Sequence, residues 1–318
     1  MKYVKNIGLV LLIVALFGCK NEKQVYMFST FREPADKGLF LAYSYDGYTW
    51  NDLGGPWLAP EVGQQKVMRD PSVVKGPDGT FHMVWTSSWR GDLGFGYASS
   101  KDLVNWSEEQ FIPVMDFDTS TVNVWAPELF YDDERDEYII IWASTIPFKF
   151  EKGIEEERNN HRMYYTTTKD FKTFSETKLY LDPGFSVIDC VIVKRGKGDY
   201  VLVLKDNTRP ERNLKVAFGN SPLGPWENIS EPFTGKLTEG PTVLQLENDW
   251  LIYYDSYGDK KYKTAKTKDF KYFEDISDEV TFPEGHKHGT VFKANEKILK
   301  RLIELSEEKK QEEHDERD

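Results

Sequence analysis

Five ionisable residues stand beside a recurring phrase in this chain: Asp70 before Pro71, Glu128 after Pro127, Asp189 before Cys190, Glu239 before Gly240-Pro241, and His288 before Gly289. Each opens a short apolar run, and the five recur about every 50–60 residues. If those runs are the innermost strands of modules set around one axis, four carboxylates and an imidazole meet at one end of it. Gathered like charges raise one another's pKa, and such a cluster persists where it does chemistry or holds a cation. Two carboxyl groups, one protonated and one ionised, are the apparatus for hydrolysing a glycosidic bond, and crowding supplies that split. Trp85, Trp89, Trp125, Phe148 and Tyr257 lie beside these strands. Flat rings suit the C–H faces of a sugar; Trp89 and Trp125 are the candidates for that role, and core packing is the ordinary fate of the others. Arg69, Arg90 and Arg209 can reach sugar hydroxyls, and Arg209 is assigned to substrate binding.

The elements that must position these residues repeat. One phrase runs from an apolar-aromatic strand through Ser or Thr and an Asp turn to an aromatic: Ala42 to Trp50, Tyr97 to Trp106, Thr168 to Phe174, a looser copy from Asn220 to Trp226, and Thr267 to Phe273. Asp closes such turns by accepting from its own backbone. A second phrase pairs two β-branched and aromatic runs across a turn, as in Asp70–Val74 with Phe81–Trp85, and Glu239–Leu244 with Trp250–Tyr254. Together they make a four-stranded antiparallel unit with two apolar faces, which only stacking around an axis can bury. The piece around His288–Lys293 has only the first strand, and Tyr26–Phe31 with Leu39–Tyr43 lacks it. The two complete each other. An all-β, five-bladed β-propeller is expected over residues 26–293, with N- and C-terminal strands sharing one blade and removing the exposed edge. Ile298, Leu299, Leu302, Ile303 and Leu305 share a helical face, so residues 294–318 are expected to form a short helix and a charged tail.

The amino terminus has a different character. Lys2 and Lys5 precede an apolar run from Gly8 to Gly18 that is too short to span a bilayer. Gly18-Cys19 resembles a lipobox, so residues 1–18 are expected to be a lipoprotein signal peptide and 19–25 a lipid-anchored linker. The expected location is the bacterial envelope, periplasmic or at the cell surface, with the membrane reached by the lipid anchor only. The chain has 41 Lys+Arg against 53 Asp+Glu, a formal charge of −12, which argues against nucleic acid as a partner. Two cysteines exclude a disulfide scaffold, and Cys190 reads as a buried strand thiol. A monomer acting on an oligosaccharide or polysaccharide is expected.

Taken in order, Arg69-Asp70-Pro71, Trp125-Ala126-Pro127-Glu128, Val187-Ile188-Asp189 and Glu239-Gly240-Pro241 resemble the signature of glycoside hydrolase family 43. The resemblance implies a five-bladed propeller that inverts the anomeric centre, with Asp70 as general base, Asp189 as modulator of the acid's pKa, and Glu239 as general acid. Glu128 stands where many relatives carry Asp, and is expected to orient the site or bond a sugar hydroxyl. His288 matches a histidine near an axial cation or water, which implies a possible Ca or Na ion and no catalytic cofactor. The insert from Pro147 to Arg162 and the stretch from Asp116 to Asn123 are expected to wall off one end of the cleft, favouring release of single terminal sugars. An exo-acting β-xylosidase is the first expectation, with α-L-arabinofuranosidase as the alternative. A non-catalytic glycan-binding lipoprotein is the alternative of another class, disfavoured because all three acids are present. An invertase-like enzyme would want an Asn-Asp-Pro near the first strand, where the chain has Arg32-Glu33-Pro34. A phosphorylase would want clustered basic groups at the cleft.

Overall fold

The computed structural model describes residues 24–315. In chain order the strands are β1 (Gln24–Thr30), β2 (Phe40–Ser44), β3 (Asn51–Gly54), β4 (Arg69–Lys75), β5 (Phe81–Thr86), β6 (Gly94–Ser100), β7 (Gln110–Pro113), β8 (Trp125–Asp132), β9 (Glu137–Ser144) and β10 (Arg162–Thr168). They continue with β11 (Lys178–Leu181), β12 (Val187–Gly196), β13 (Asp199–Asp206), β14 (Asn213–Gly219), β15 (Glu239–Gln245), β16 (Trp250–Ser256), β17 (Lys261–Thr267), β18 (Phe273–Asp275) and β19 (Val291–Asn295), then helix α1 (Glu296–Asp315). They form five antiparallel sheets: β4–β7, β8–β11, β12–β14, β15–β18, and a closing sheet ordered β19-β1-β2-β3. The propeller is therefore five-bladed and closed by both chain ends, with β19 innermost in the last blade and paired to β1 from Gln24–Asn295 to Phe28–Val291. Gln24 and Val25 belong to β1 rather than to a linker. The signal, the lipobox cysteine and the rest of the linker lie outside the described residues.

Five hydrophobic cores fill the five gaps between blades. Trp85, Met83 and Phe81 pack with Phe292 and Leu299 between the last blade and the first; Trp142 and Phe95 share the next gap. Trp85 is 0% exposed, so it is core rather than a sugar platform. Each such large side chain contributes about 1.5–3 kcal/mol by leaving water. Cys190 is buried in the core between the second and third blades, a free thiol on β12. Helix α1 packs Leu299 and Leu302 onto the outside of the ring, and it continues through Asp315, well past its apolar stripe.

The recurring Asp phrase is a turn built by one carboxylate. Asp46 Oδ1 accepts from the N–H of Tyr48 and Thr49 at 2.7 and 2.9 Å; Asp102 does so from Val104 and Asn105, Asp170 from Lys172 and Thr173, and Asp269 from Lys271 and Tyr272. The Ser or Thr two residues earlier accepts from the residue after the Asp, which sits at positive φ: Gly47, Leu103, Phe171 and Phe270. The looser copy has Ser221 in place of the Asp, and there the outermost regular strand is lost. The third blade has three regular strands, and its edge strand β14 is met by the Phe218–Glu227 bridge and by the N–H groups of Ser230 and Phe233, which donate to the Val216 and Leu214 carbonyls at 2.8 and 3.0 Å. Without a carboxylate to gather consecutive N–H groups, the chain returns along β14 with irregular pairing in place of a strand.

Candidate active site

The innermost strands share an irregularity that aims the functional side chains. Pairing with the second strand skips two residues in four blades, between Arg69 and Ser72, Trp125 and Glu128, Ile188 and Val191, and Glu239 and Thr242. The first residue skipped is at positive φ each time: Asp70 at 53°, Ala126 at 44°, Asp189 at 52° and Gly240 at 58°. Only glycine adopts that backbone freely, so two aspartates held there mark strain kept for function. Gly240 has a second reason: a Cβ would lie 2.5 Å from His288 Cγ. The bulge also separates residues that the sequence made equivalent. Asp70 and Asp189 occupy the bulge, Glu239 stands one residue earlier at the rim, and Glu128 lies past the bulge, further down the axis.

Asp70, Asp189, Glu239 and His288 do converge. His288 Nδ1 lies 3.2 Å from Asp70 Oδ1, and Thr86 Oγ1 donates to Asp70 Oδ2 at 3.0 Å while accepting from Ala126 N–H at 2.8 Å. Asp189 Oδ2 accepts from Gly240 N–H at 3.1 Å. Glu239 Oε2 accepts from Lys205 Nζ at 2.7 Å, and that ammonium is 2% exposed and faces the Tyr257 ring at 5.3 Å. Burial pushes Asp70 up, but the His288 hydrogen bond and charge, helped by Arg69 and Thr86, hold it below the ordinary carboxylate value. Burial raises Asp189, and the Glu239 and Asp70 charges add to that against His288 and Lys205. Burial also opposes ionisation of Glu239, yet the Lys205 charge and hydrogen bond outweigh it and leave Glu239 below its usual value. Burial lowers His288, but the Asp70 bond and the surrounding carboxylates overcome it and push the imidazole up to about 9.

Other expected site residues are placed differently. Glu128 Oε2 accepts from Thr290 Oγ1 at 3.2 Å, and the residue lines an axial cavity of about 460 Å³ that none of Asp70, Asp189 or Glu239 lines. Burial raises its carboxyl to about 7, against Ser72, His288 and Thr290. Trp89 and Trp125 stand together at the rim beside Asp70, centroids 4.7 Å apart, with Trp125 Nε1 donating to Trp89 O at 2.6 Å. Arg69 is sandwiched between the Phe31 and Trp89 rings and bonded to Glu33 at 3.0 Å. Trp89 is 50% exposed and offers its free area to the mouth. Arg209 is occupied otherwise: Glu155 and Glu156 of the 147–162 insert hold its guanidinium, so it anchors that insert to the β13–β14 turn. Phe148, on the same insert, is 85% exposed. His286 precedes any strand and is buried against Phe28, Tyr262 and Phe282, away from the His288 position.

An axial cation beside His288 finds a poor donor set. The imidazole carries its own positive charge against Asp70, and among the described residues no three His, Cys, Asp or Glu side chains are grouped to hold a metal ion. Reading the sequence alone passed over Thr86, Lys205 and Asp255. All three stand at or one residue before the end of the second strand of their blades, opposite Arg69, Ile188 and Glu239 in register. The available signal was a polar residue closing each second apolar run, after Trp85, Leu204 and Tyr254.

The α-L-arabinofuranosidase of Bifidobacterium longum subsp. longum is 25% identical over 184 residues, 47% of this chain and 17% of its own length, so the chain spans about a sixth of that relative. The solved α-L-arabinanase of Cellvibrio cellulosa, in complex with arabinohexaose, superposes with TM-score 0.56 at 13% identity, over 84% of this chain and 95% of that one. The α-L-arabinofuranosidase of Podospora anserina with cellotriose gives TM-score 0.52 at 14% identity, over 76% of this chain and 77% of that one. Both structures share the fold. A family model described as a probable glycosyl hydrolase domain, related to family 43, matches residues 21–297. With its five blades and its acids gathered at one mouth, the chain belongs to this family 43-related group of glycoside hydrolases.

Proposed function

We propose that the protein is an inverting, exo-acting α-L-arabinofuranosidase, with Asp70 as general base and Glu239 as general acid. The observation that carries the catalytic roles is the placement of the two carboxyls on separate blades of one mouth, each with its own partners. Asp70 is held ionised by His288 and Thr86, while Glu239 stands one bulge position away on another blade, tied to a single ammonium. In this reading Asp70 takes a proton from water, whose oxygen forms the new bond to the anomeric carbon. The glycosidic C–O bond breaks on the opposite face, and Glu239 gives its proton to the departing oxygen. Asp189 then orients the acid and tunes its proton. Glu239 must be protonated to act, and Lys205 opposes that, so the donor form grows as pH falls and activity is greatest on the acid side of neutrality.

Arabinose takes precedence over the xylose that the sequence alone put first, because the curated relative is named for arabinofuranosidase activity. Exo action is supported by the 147–162 insert, which Glu155 and Arg209 pin beside the mouth. Lipid anchoring at Cys19 in the bacterial envelope and a monomeric state complete the proposal. The test is a pair of nitrophenyl glycosides followed by anomer-resolved NMR. Release from the α-L-arabinofuranoside with inverted configuration is expected; cleavage of the β-D-xyloside alone would return the assignment to xylosidase, and a retained anomer would remove the two roles given to Asp70 and Glu239.

A further inference from the structure

The segment that carries His288 lies beyond the sheet. Strand β19 begins at Val291, and its ladder with β1 ends at the Phe28–Val291 pair, so residues 287–290 have no strand of their own. One backbone bond, from Ser29 N–H to Thr290 O at 3.0 Å, reaches past that point. The imidazole must nevertheless stand 3.2 Å from Asp70 Oδ1, across the seam between the last blade and the first. Charge alone does not choose that partner. His288 also lies within electrostatic reach of Asp189, Glu239, Glu128 and Asp255, the last already paired with Lys287.

Two hydroxyls on β1 supply the direction. Ser29 Oγ donates to Pro71 O at 2.6 Å and accepts from Thr290 N–H at 3.0 Å. It ties the residue after Asp70 to the residue two after His288, on opposite sides of the seam. Thr30 Oγ1 donates to Lys287 O at 2.8 Å and accepts from Lys287 N–H at 2.9 Å, so both backbone groups of the residue before His288 are fixed. Ser29 and Thr30 are 0% exposed, and water does not stand in for either hydroxyl. Beyond them, Val291 N–H donates to Thr242 Oγ1 at 3.0 Å, and the ring itself rests against Gly240, where no Cβ obstructs it. The place of the imidazole is therefore set by its backbone, and its backbone by these two side chains.

We propose that Ser29 and Thr30 are positioning residues for the general base: their hydroxyls fix residues 287–290 against β1 and Pro71, and thereby hold the His288 imidazole on Asp70. Both are buried, so they act through His288 and not on the sugar. The kinetic consequence rests on the reading of Asp70 as general base, while the placement of the imidazole does not. Misplacing a reacting group by about 1 Å costs up to about 10²-fold in rate. Here the loss falls on kcat, since ground-state binding of the sugar is untouched.

The test uses Thr30→Val, which keeps the shape and removes both bonds to Lys287, Thr30→Ser, which keeps them, and Ser29→Ala, which removes the bridge to Pro71. Ser100→Ala is the comparison: it deletes a buried hydroxyl bonded to Asn105 O and Leu103 N–H in the Asp102 turn, outside the site. The first readout is the Nδ1–H proton of His288 by NMR at one fixed pH, on protein with 15N-labelled histidine, assigned with His288→Asn. A slowly exchanging downfield proton is expected in the unaltered protein, in Thr30→Ser and in Ser100→Ala, and its loss in Thr30→Val and Ser29→Ala. The second readout is hydrolysis of 4-nitrophenyl α-L-arabinofuranoside. There kcat should fall about tenfold in Thr30→Val and Ser29→Ala with KM within about twofold, and recover in Thr30→Ser. The proposal is overturned if that proton is absent from the unaltered protein, persists in folded Thr30→Val, or is lost equally in Ser100→Ala or Thr30→Ser. Should Ser29→Ala not fold, the isosteric Thr30→Val decides. Loss of the proton with kcat unchanged leaves the clamp standing and removes Asp70 from the role of base. If the unaltered protein does not cleave the glycoside, the arabinofuranosidase reading fails on its own, and the NMR readout alone decides the clamp.

Discussion

Lys205→Met removes the ammonium 2.7 Å from Glu239 Oε2 and keeps the length of the buried stem. An opposite charge at this range lowers a carboxyl by about 1–3 pKa units. Glu239 retains 35% side-chain exposure, so solvent screens part of that effect, and removing the ammonium raises the carboxyl. The sign follows from the roles. Asp70 must be ionised and Glu239 protonated, so Asp70 sets the acidic limb of the pH profile and Glu239 the basic limb. Raising Glu239 moves the basic limb upward by about one unit and leaves the acidic limb in place. The plateau falls, because a weaker acid gives up its proton less readily. The assay is kcat/KM against pH on arabinotriose, whose leaving group needs the proton, with thermal melting to establish folding. Lys205→Arg, which keeps the charge, leaves the limb nearer its original position. A folded Lys205→Met protein with an unmoved basic limb would show that Glu239 is not the group titrating there.

Asp70→Asn should lower kcat/KM by about 10²–10⁴ on aryl and oligosaccharide substrates alike, since water must still be activated. Glu239→Ala should lose the oligosaccharide by a similar factor while holding the nitrophenyl glycoside within about tenfold; equal losses would take the donor role away. His288 is raised in the folded protein to about 9 from about 6.5 in the unfolded chain, so its contribution to stability is complete below pH 6.5 and disappears as pH rises through 9. Calorimetry from pH 6 to 10 should show that fall, and His288→Asn should flatten it. Gly289→Ala would set a Cβ 1.8 Å from the Ser29 carbonyl oxygen at the seam between β19 and β1, and should cost at least about 1–3 kcal/mol, read as a lower melting temperature. Cys19→Ala should move the protein from the membrane pellet to the soluble fraction and abolish palmitate labelling.

Blade count and closure were legible because each blade repeats its chemistry. The Ser/Thr-x-Asp turn announces itself in the letters, and its loss at Ser221 marks where the outermost segment of a blade pairs irregularly. The three acids were legible as well, since each sits next to a Pro-marked or apolar strand start. Their depth was not. A bulge breaks the two-residue alternation, so Glu128, Asp189 and Glu239 looked alike in sequence yet stand at three levels of the axis. Lys205 was hidden for another reason: its role comes from Glu239 on the next blade, 34 residues away, and nothing local to Leu204-Lys205-Asp206 reveals that neighbour. Arg209 resembled a substrate contact until the insert supplied Glu155, a partner more than 50 residues upstream.

The seam in the last blade also fixes the end of the axis at which β1 enters the fold. Strand β1 enters beside Asn295, where Gln24 lines the back of the axial cavity, and climbs to Thr30, whose hydroxyl donates to the Lys287 carbonyl near the mouth. Any tether upstream of Gln24 therefore grips the molecule by its heel. Were the proposed lipid anchor at Cys19 to hold the protein in that way, its base would face the carrying surface and its mouth the surrounding medium, leaving the approach of a glycan unblocked.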